Sequence, residues 1–311
     1  MININSVSIW EDALIWTQLS KDDTSIGIKR AVWETLPILI NHQTIQDNNA
    51  IEQISSYLRE FIKNHQFSKD NVLLNIPGRF AIIKYITLET NIPEKNFSDQ
   101  VIYEFEKFWE ESHSNYDIYL PNLGKSVDPE KQILAIAIRK NVLEFFKNIF
   151  KTAEIELESI TTSCLSMDEL FKNIFPNSSG QILLLGWQRR GFDAIIIDNQ
   201  QFSNYLYRPY TTKLDPIEKV DEFELANGFS NLLYNLQHPS VLEMPIYEIQ
   251  TIYNYGYFFK TEWLDFMRSR VQVPINLFNL DASTNFKLSL ETEQLIPDQI
   301  FKIIEPISNL F

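Results

Sequence analysis

The sequence predicts an α/β protein made of two lobes that share one plan, each a mixed five-stranded sheet flanked by helices. Three observations predict this. Both halves of the chain begin with three strand-like runs separated by polar turns. Both halves then continue with alternating helical and strand patterns, an order that places helices over the faces of a sheet. Between the halves lies a turn-rich segment, Pro176–Gly180.

The first half opens with β-structure and then a helix. Ile51, Ile54, Leu58 and Phe61 recur at three- and four-residue spacing, which predicts a helix with one apolar face. Short apolar runs ended by turn residues predict the strands, at 7–10, 13–19, 26–33, 72–76 and 80–88.

Residues 90–131 interrupt this pattern and predict a small inserted subdomain that contains an acidic helix. After the insert, the first lobe is expected to resume and to extend over residues 1–178. Ser166-Met167-Asp168-Glu169 fits a capping box, which predicts that a helix begins at Ser166. The other elements predicted here are a strand at 133–138, a helix at 142–150 and a strand at 155–160.

The second lobe is expected to cover residues 179–311, with a helical or inserted region at about 210–245. Its three opening strands are Ile182–Leu185, Phe192–Asp198 and Gln201–Tyr207, and the first is predicted to end at Gly186. The later elements are a helix at 216–236, a strand at 246–252, a helix at 260–270, a strand at 272–277 and a closing helix at 297–310.

Composition excludes several classes of function. The net charge of −14 and the pI of about 4.8 disfavour nucleic acid and anionic lipid as partners. A single cysteine, Cys164, excludes an internal disulfide framework. No apolar run reaches the ~20 residues needed to cross a membrane, and no secretory signal is visible, so a cytoplasmic protein without direct membrane insertion is expected.

Three stretches together resemble PilM, the cytoplasmic actin-like protein of type IV pilus machines, and its relative, the cytoplasmic part of GspL from type II secretion. The first is Leu73–Leu88, the second is Val101–Leu120 with Asp117, continued by residues 133–160, and the third is Gln181–Arg208, with Ile246–Leu280 completing the second half. The resemblance covers most of the chain. It implies a duplicated actin-like (ribonuclease H-like) fold of the superfamily that includes the actin-like ATPases.

The resemblance also shows where this chain departs from nucleotide-binding relatives. Actin-like ATPases use two Asp-x-Gly hairpins for Mg²⁺ and phosphate, and a Gly-Gly turn for adenosine. Here the first hairpin carries Trp10-Glu11-Asp12 and contains no glycine. In the second hairpin Gly186 is present, but Leu184 stands at the position of the aspartate. In the adenosine turn Tyr255 replaces the first glycine, and Gly256 is the second. A degenerate nucleotide cleft is therefore expected near Trp10, Asp12, Gly186, Asp193, Tyr255 and Gly256.

No catalytic residue, metal ligand or cofactor is predicted, and hydrolysis of Mg·ATP is not expected, although weak nucleotide binding is left open. The expected function is that of a non-catalytic scaffold, which recruits components of a bacterial envelope machine at the cytoplasmic face of the inner membrane. Two alternatives stay open. One is an active ATPase with relocated phosphate ligands, for which Asp12 and Asp193 are the candidates, and the other is a small-molecule kinase relative of the same fold.

The partner implied by the resemblance is an inner-membrane assembly protein with a short cytoplasmic N-terminal tail, similar to PilN; a homo-oligomer is also left open. The tail is expected in a groove beside the insert, near Phe105, Phe108, Trp109 and Arg139. A second candidate surface is the basic hairpin tip with Trp187, Arg189 and Arg190, which equally fits an ordinary exposed turn. The acidic helix face around Glu104 and Glu106 is expected to be solvated.

Overall fold

The computed structural model describes residues 2–22, 25–87, 93–108, 112–121, 132–238, 246–280, 287–290 and 297–311. Within these ranges the chain forms fourteen strands, seven α-helices and short 3-10 turns. The strands are β1 Ile2–Ile9, β2 Ala13–Lys21, β3 Ser25–Thr35, β4 Val72–Ile76, β5 Ala81–Thr87, β6 Tyr116–Tyr119, β7 Gln132–Arg139, β8 Leu157–Thr162, β9 Gln181–Trp187, β10 Gly191–Asp198, β11 Gln201–Pro209, β12 Ile249–Tyr255, β13 Ile275–Leu277 and β14 Lys287–Leu290. The helices are α1 Asn48–His65, α2 Phe97–Phe108, α3 Lys140–Thr152, α4 Ser163–Ile174, α5 Glu222–Gln237, α6 Trp263–Arg270 and α7 Ile304–Ser308. In the described part of the chain, no helix combines the length and the apolar character needed to span a bilayer.

The first sheet has the order β14-β3-β2-β1-β4-β8. β1, β2 and β3 form an antiparallel meander, and β4 and β8 continue the sheet in parallel with β1. The five strands expected for the first lobe are present, and β14 adds a sixth from the far end of the chain by pairing in parallel with β3. The C-terminal helix α7 also packs against β1, β2 and β4, so the last part of the chain lies on the first sheet.

The second sheet repeats the plan in the order β11-β10-β9-β12-β13. β9, β10 and β11 form an antiparallel meander, and β12 and β13 follow in parallel with β9. The central strands β9 and β10 are almost completely buried, as their apolar runs require. This repetition confirms the predicted α/β fold of two lobes with mixed sheets and flanking helices. The boundary at residue 178 remains a prediction.

A third, smaller sheet has the order β5-β7-β6, with α2 packed on it. Its outer strands both pair antiparallel with β7. This sheet is not confined to the predicted insert at residues 90–131. Only β6 lies within that segment, whereas β5 precedes it in the sequence and β7 follows it. A run of apolar residues such as Ile133–Ile138 predicts a buried strand but does not identify the sheet to which the strand belongs.

Helix α1 shows how the local sequence determines an element. Its N-cap is Asp47, whose side chain accepts from Asn49 N at 2.9 Å, and the helix ends at Gln66 in the left-handed conformation with φ 55°. Ile54, Leu58 and Phe61 lie on the buried face. Most predicted elements are confirmed in this way, with boundaries shifted by a few residues.

Two local predictions are wrong. Helix α4 begins at Ser163 and not at Ser166. The Ser166 hydroxyl does not cap the helix, because it bonds Ser163 O and Asn75 Oδ1, both at 3.1 Å. Strand β9 does not end at Gly186 but continues to Trp187. Gly186 is required there for space, since a Cβ atom would lie 2.7 Å from the Tyr255 ring.

Candidate functional site

The candidate site is the cleft where the β1–β2 turn, residues 10–12, faces the β9–β10 turn, residues 188–190. A backbone hydrogen bond from Trp10 N to Ala13 O, 2.8 Å long, closes the first turn. A similar bond from Gln188 N to Gly191 O, 3.0 Å long, closes the second. Because each turn joins the first two strands of its sheet, this space, here called the interlobe cleft, lies between equivalent parts of the two lobes.

Asp12 connects the two turns by ion pairs. Its Oδ2 atom accepts from Arg189 Nη1 at 2.8 Å and from Arg190 Nε and Nη2 at 2.9 and 2.7 Å. The Asp12 residue is 5% exposed. A buried carboxylate is stable only when it is paired and hydrogen-bonded, and charge-assisted bonds of this length are the strong kind. Both arginines of the hairpin tip therefore have an internal partner.

Glu11 forms a second connection beside the first. Its Oε1 atom accepts from Arg79 Nη1 and, at 2.7 Å, from the Tyr207 hydroxyl on β11. The Arg79 guanidinium also lies over the Tyr207 ring, 5.2 Å from its centroid. Glu11 is buried, so this arrangement satisfies a second carboxylate with groups from both lobes.

Two further buried carboxylates share one amide deeper in the cleft. Gln188 Nε2 donates to Asp193 Oδ2 and to Glu305 Oε2, each at 2.9 Å. Glu305 also accepts from Trp10 Nε1 at 3.0 Å, and Asp193 accepts from the Tyr205 hydroxyl at 2.6 Å. Burial raises the pKa of Asp193 to about 6. Burial, followed by repulsion from Asp193, raises the pKa of Glu305 to about 7.

Aromatic rings also join the two lobes. Trp33 on β3 stacks on Tyr257 with ring centroids 4.9 Å apart and an angle of 8° between the planes. Phe258 makes edge contacts with Trp33 and Trp10, at 5.5 and 5.7 Å. Aromatic pairs at these separations add to the stability that burial of their surface gives. Tyr257 and Phe258 therefore pack within the cleft, against aromatic rings of the first lobe.

The turn expected to contact adenosine is packed against β9. Tyr255 is 1% exposed and its ring covers Gly186. Gly256 has φ +113°, and a Cβ atom there would lie 2.7 Å from Trp187 O. Both glycines therefore serve close packing between β12 and β9 in this chain.

The residues of the cleft do not fit a nucleotide. The empty space between them is about 280 Å³ even with its open mouth included, which is below the ≈300–1,000 Å³ of sites for drug-sized ligands. The arginines that could bind a phosphate group, Arg79, Arg189 and Arg190, are already paired with the carboxylates of Glu11 and Asp12. Leu184, at the position of the expected acid, is fully buried and supplies no oxygen ligand for Mg²⁺.

The predicted partner-binding residues lie in different environments. Phe105 is 2% exposed and belongs to the core of the small sheet, and Arg139 Nε donates to the Tyr116 hydroxyl at 3.1 Å. For Phe108 only the helical backbone is described, and Trp109 lies outside the described residues. The prediction of Trp187 at an exposed tip is wrong, because the ring is fully buried and its Nε1 donates to Asn254 Oδ1 at 2.9 Å.

Other candidate chemistry is absent from the described residues. Among them, no group of three or more His, Cys, Asp and Glu residues could hold a metal ion. Burial raises the pKa of the Cys164 thiol to about 12, which opposes a nucleophilic role. Glu104 bonds Lys107 and Glu106 contacts His113 on an exposed surface, as expected for a solvated helix face.

Sequence reasoning missed six polar residues of the cleft as site residues: Glu11, Arg79, Gln188, Tyr205, Tyr207 and Glu305. For Glu305 a signal was available, since a lone carboxylate between Ile303, Ile304 and Ile307 interrupts an apolar segment. A charged residue in such a position is buried only with dedicated partners. The other five carry no comparable signal in the sequence.

Two lobes of one plan, with equivalent hairpins facing one cleft, are the arrangement of the actin-like fold. The structure is similar to a chain of the PilM–PilN type IV pilus biogenesis complex, with a TM-score of 0.71 and 11% sequence identity over 99% of this chain and 96% of the other. It is also similar to the cytoplasmic domain of EpsL, an inner-membrane component of the type II secretion system of Vibrio cholerae, with a TM-score of 0.51 and 8% identity over 99% and 95%. No protein-family model matches the sequence, and no curated protein is significantly similar to it in sequence. The actin-like fold expected from the resemblance to PilM and GspL is confirmed.

Proposed function

We propose that this protein is a non-catalytic, actin-like scaffold of a bacterial envelope machine of the type IV pilus or type II secretion kind. The likeness of its whole fold to PilM and to the cytoplasmic domain of EpsL supports the kind of machine. The observation that carries the non-catalytic role is the interlobe cleft, where Asp12, Arg189 and Arg190 form internal ion pairs. No nucleotide or metal cofactor belongs to this proposal.

Calorimetric titration of the purified protein with Mg·ATP tests the non-catalytic role. We expect no heat of binding and no thermal shift up to millimolar ATP, because the ion pairs and aromatic rings fill the cleft. A micromolar dissociation constant would contradict the proposal and would favour the alternative of an ATPase. In that case, Asp193→Asn should abolish phosphate release, since Asp193 is a candidate for a relocated ligand.

The proposed partner is an inner-membrane protein with a short cytoplasmic N-terminal tail, similar to PilN, which would place this protein at the cytoplasmic face of the inner membrane. The similar PilM structure, solved in a complex with PilN, supports this choice. We propose that the tail binds near Arg139, at the end of β7 where the small sheet meets helix α3. Arg139 lies on the face of the small sheet on which α2 packs, because its neighbour across the ladder, Tyr116, belongs to that core.

A peptide pull-down tests this placement. The bait is a synthetic N-terminal tail of a single-helix membrane protein encoded beside this gene. Arg139→Ala should weaken capture by about tenfold, the loss of ~1.4 kcal/mol of binding free energy. Arg270→Ala, an exposed arginine at the end of α6 in the other lobe, is the matched control and should leave capture unchanged. Equal capture by both variants would exclude this surface. Phe105 is unsuitable as a test, because it is a core residue.

A further inference from the structure

Glu305 lies at the point where three parts of the molecule meet. It belongs to α7, which packs on the first sheet, and it accepts from Trp10 of the first turn at 3.0 Å and from Gln188 of the second turn at 2.9 Å. Glu305 and Asp193 are 2% and 3% exposed, so water gives almost no solvation to either carboxylate.

One amide group serves both carboxylates. The Gln188 Nε2 atom has two N–H bonds, and both are used, one for Asp193 and one for Glu305. When both carboxylates are ionised, two negative charges therefore lie on either side of one neutral donor. Two buried carboxylates that share one donor repel each other strongly when both are charged, and a single proton on either group relieves the repulsion.

Among the described residues, no cation bonds directly to Asp193 or to Glu305. Arg79 is the cation that acts on Asp193, but its guanidinium bonds Glu11. The other titratable groups whose charges couple to Asp193 or Glu305 are neutral tyrosines and a buried thiol, and all have a raised pKa: Cys164, Tyr205, Tyr207, Tyr210 and Tyr255. The arginines of the turn, Arg189 and Arg190, bond Asp12.

We propose that Gln188, Asp193 and Glu305 form a proton-dependent latch, which holds the two turns of the interlobe cleft together in mildly acidic medium and loosens as the pH rises. A raised pKa means that the closed cleft binds protons more tightly than an open one. Its extra stability is fully present below the pKa of an exposed carboxyl, about 4, and is lost as the pH rises through about 6 and about 7.

Amide hydrogen exchange of the β9–β10 turn tests the latch. Exchange is measured from pH 5 to pH 8 on the full chain and on Glu305→Gln, which keeps the shape of the side chain without its charge. At each pH the exchange rate of the unmodified chain is divided by that of Glu305→Gln, which cancels the intrinsic pH dependence of exchange. We expect this ratio to be near one at pH 5 and to rise roughly tenfold or more by pH 8, since each pKa unit corresponds to a factor of ten.

Two further variants complete the test. Glu34→Gln is the control, because Glu34 bonds Tyr57 and His65 within the first lobe, each at 2.6 Å, and should follow the unmodified chain at every pH. Asp193→Asn should reproduce Glu305→Gln and replaces it if Glu305→Gln does not fold. The latch would be overturned if the ratio of the unmodified chain to Glu305→Gln stayed constant from pH 5 to pH 8. It would also be overturned if the ratio of the unmodified chain to Glu34→Gln rose by the same factor.

Discussion

Individual residues show how this chain fills space that nucleotide-binding relatives are expected to leave open. The Tyr255 ring lies directly over Gly186, and the absence of a Cβ atom at Gly186 makes that contact possible. Position 186 is a glycine in the expected phosphate hairpin as well, but here it accommodates an aromatic ring from β12. A residue that matches a motif can thus serve packing alone, which the sequence pattern does not distinguish.

Gly186→Ala tests this packing. A Cβ atom would lie 2.7 Å from the Tyr255 ring, which is buried and surrounded, so we expect a loss of about 1–3 kcal/mol in the free energy of unfolding. Urea denaturation measures it. Gly228→Ala on α5 is the control, since its Cβ would meet Phe192 at an ordinary 3.4 Å and alanine favours a helix. Similar midpoints for Gly186→Ala and the parent chain would contradict the packing argument.

Among the elements, the two hairpins are the pair whose contact determines the site. Strand-like runs separated by polar turn residues predicted both of them. Their contact could not be predicted in the same way, since Asp12 and Arg190 are 178 positions apart and neither sequence context names the other. The same limit applies to two strands. The sequence predicted β7 as a strand, and it left β14 unassigned, but in neither case does the pattern identify the neighbouring strand in the sheet.

A double-mutant cycle between Asp12→Ala and Arg190→Ala measures how strongly the hairpins are coupled. We expect a coupling energy of about 1–3 kcal/mol, because both side chains are largely buried and the contact is doubly bonded. The reference pair Glu144 and Lys147, exposed on α3 and 3.1 Å apart, should give less than about 0.5 kcal/mol. Equal coupling in the two cycles would show that the hairpin contact contributes no more than a surface ion pair.

At the scale of the whole molecule, the lobes share their stability. The first sheet takes β14 from the second half of the chain, α7 packs on that sheet, and the interlobe cleft adds ion pairs and stacked rings between them. The two-lobed plan was predictable from the repeated order of elements, but the degree of integration was not, because it depends on side chains brought together only in the folded state.

We therefore expect a single cooperative unfolding transition in urea. Far-ultraviolet circular dichroism reports on both lobes, whereas tryptophan fluorescence reports on residues such as Trp10, Trp33 and Trp187 in and around the cleft. Coincident transitions by the two probes are the expected result. Two separated transitions would show that the lobes unfold independently and that their contacts contribute little.

The return of α7 to the first sheet also orders events during synthesis. Trp10 leaves the ribosome 295 residues before its partner Glu305, and Ser6 Oγ bonds Pro306 O across 300 residues. Domains usually fold as units while the chain is still being made. Here the N-terminal sheet emerges long before the segment that covers it, so its final packing is delayed until translation has passed residue 306. In the interval a newly made chain lacks the helix that covers β1, β2 and β4 in the folded protein.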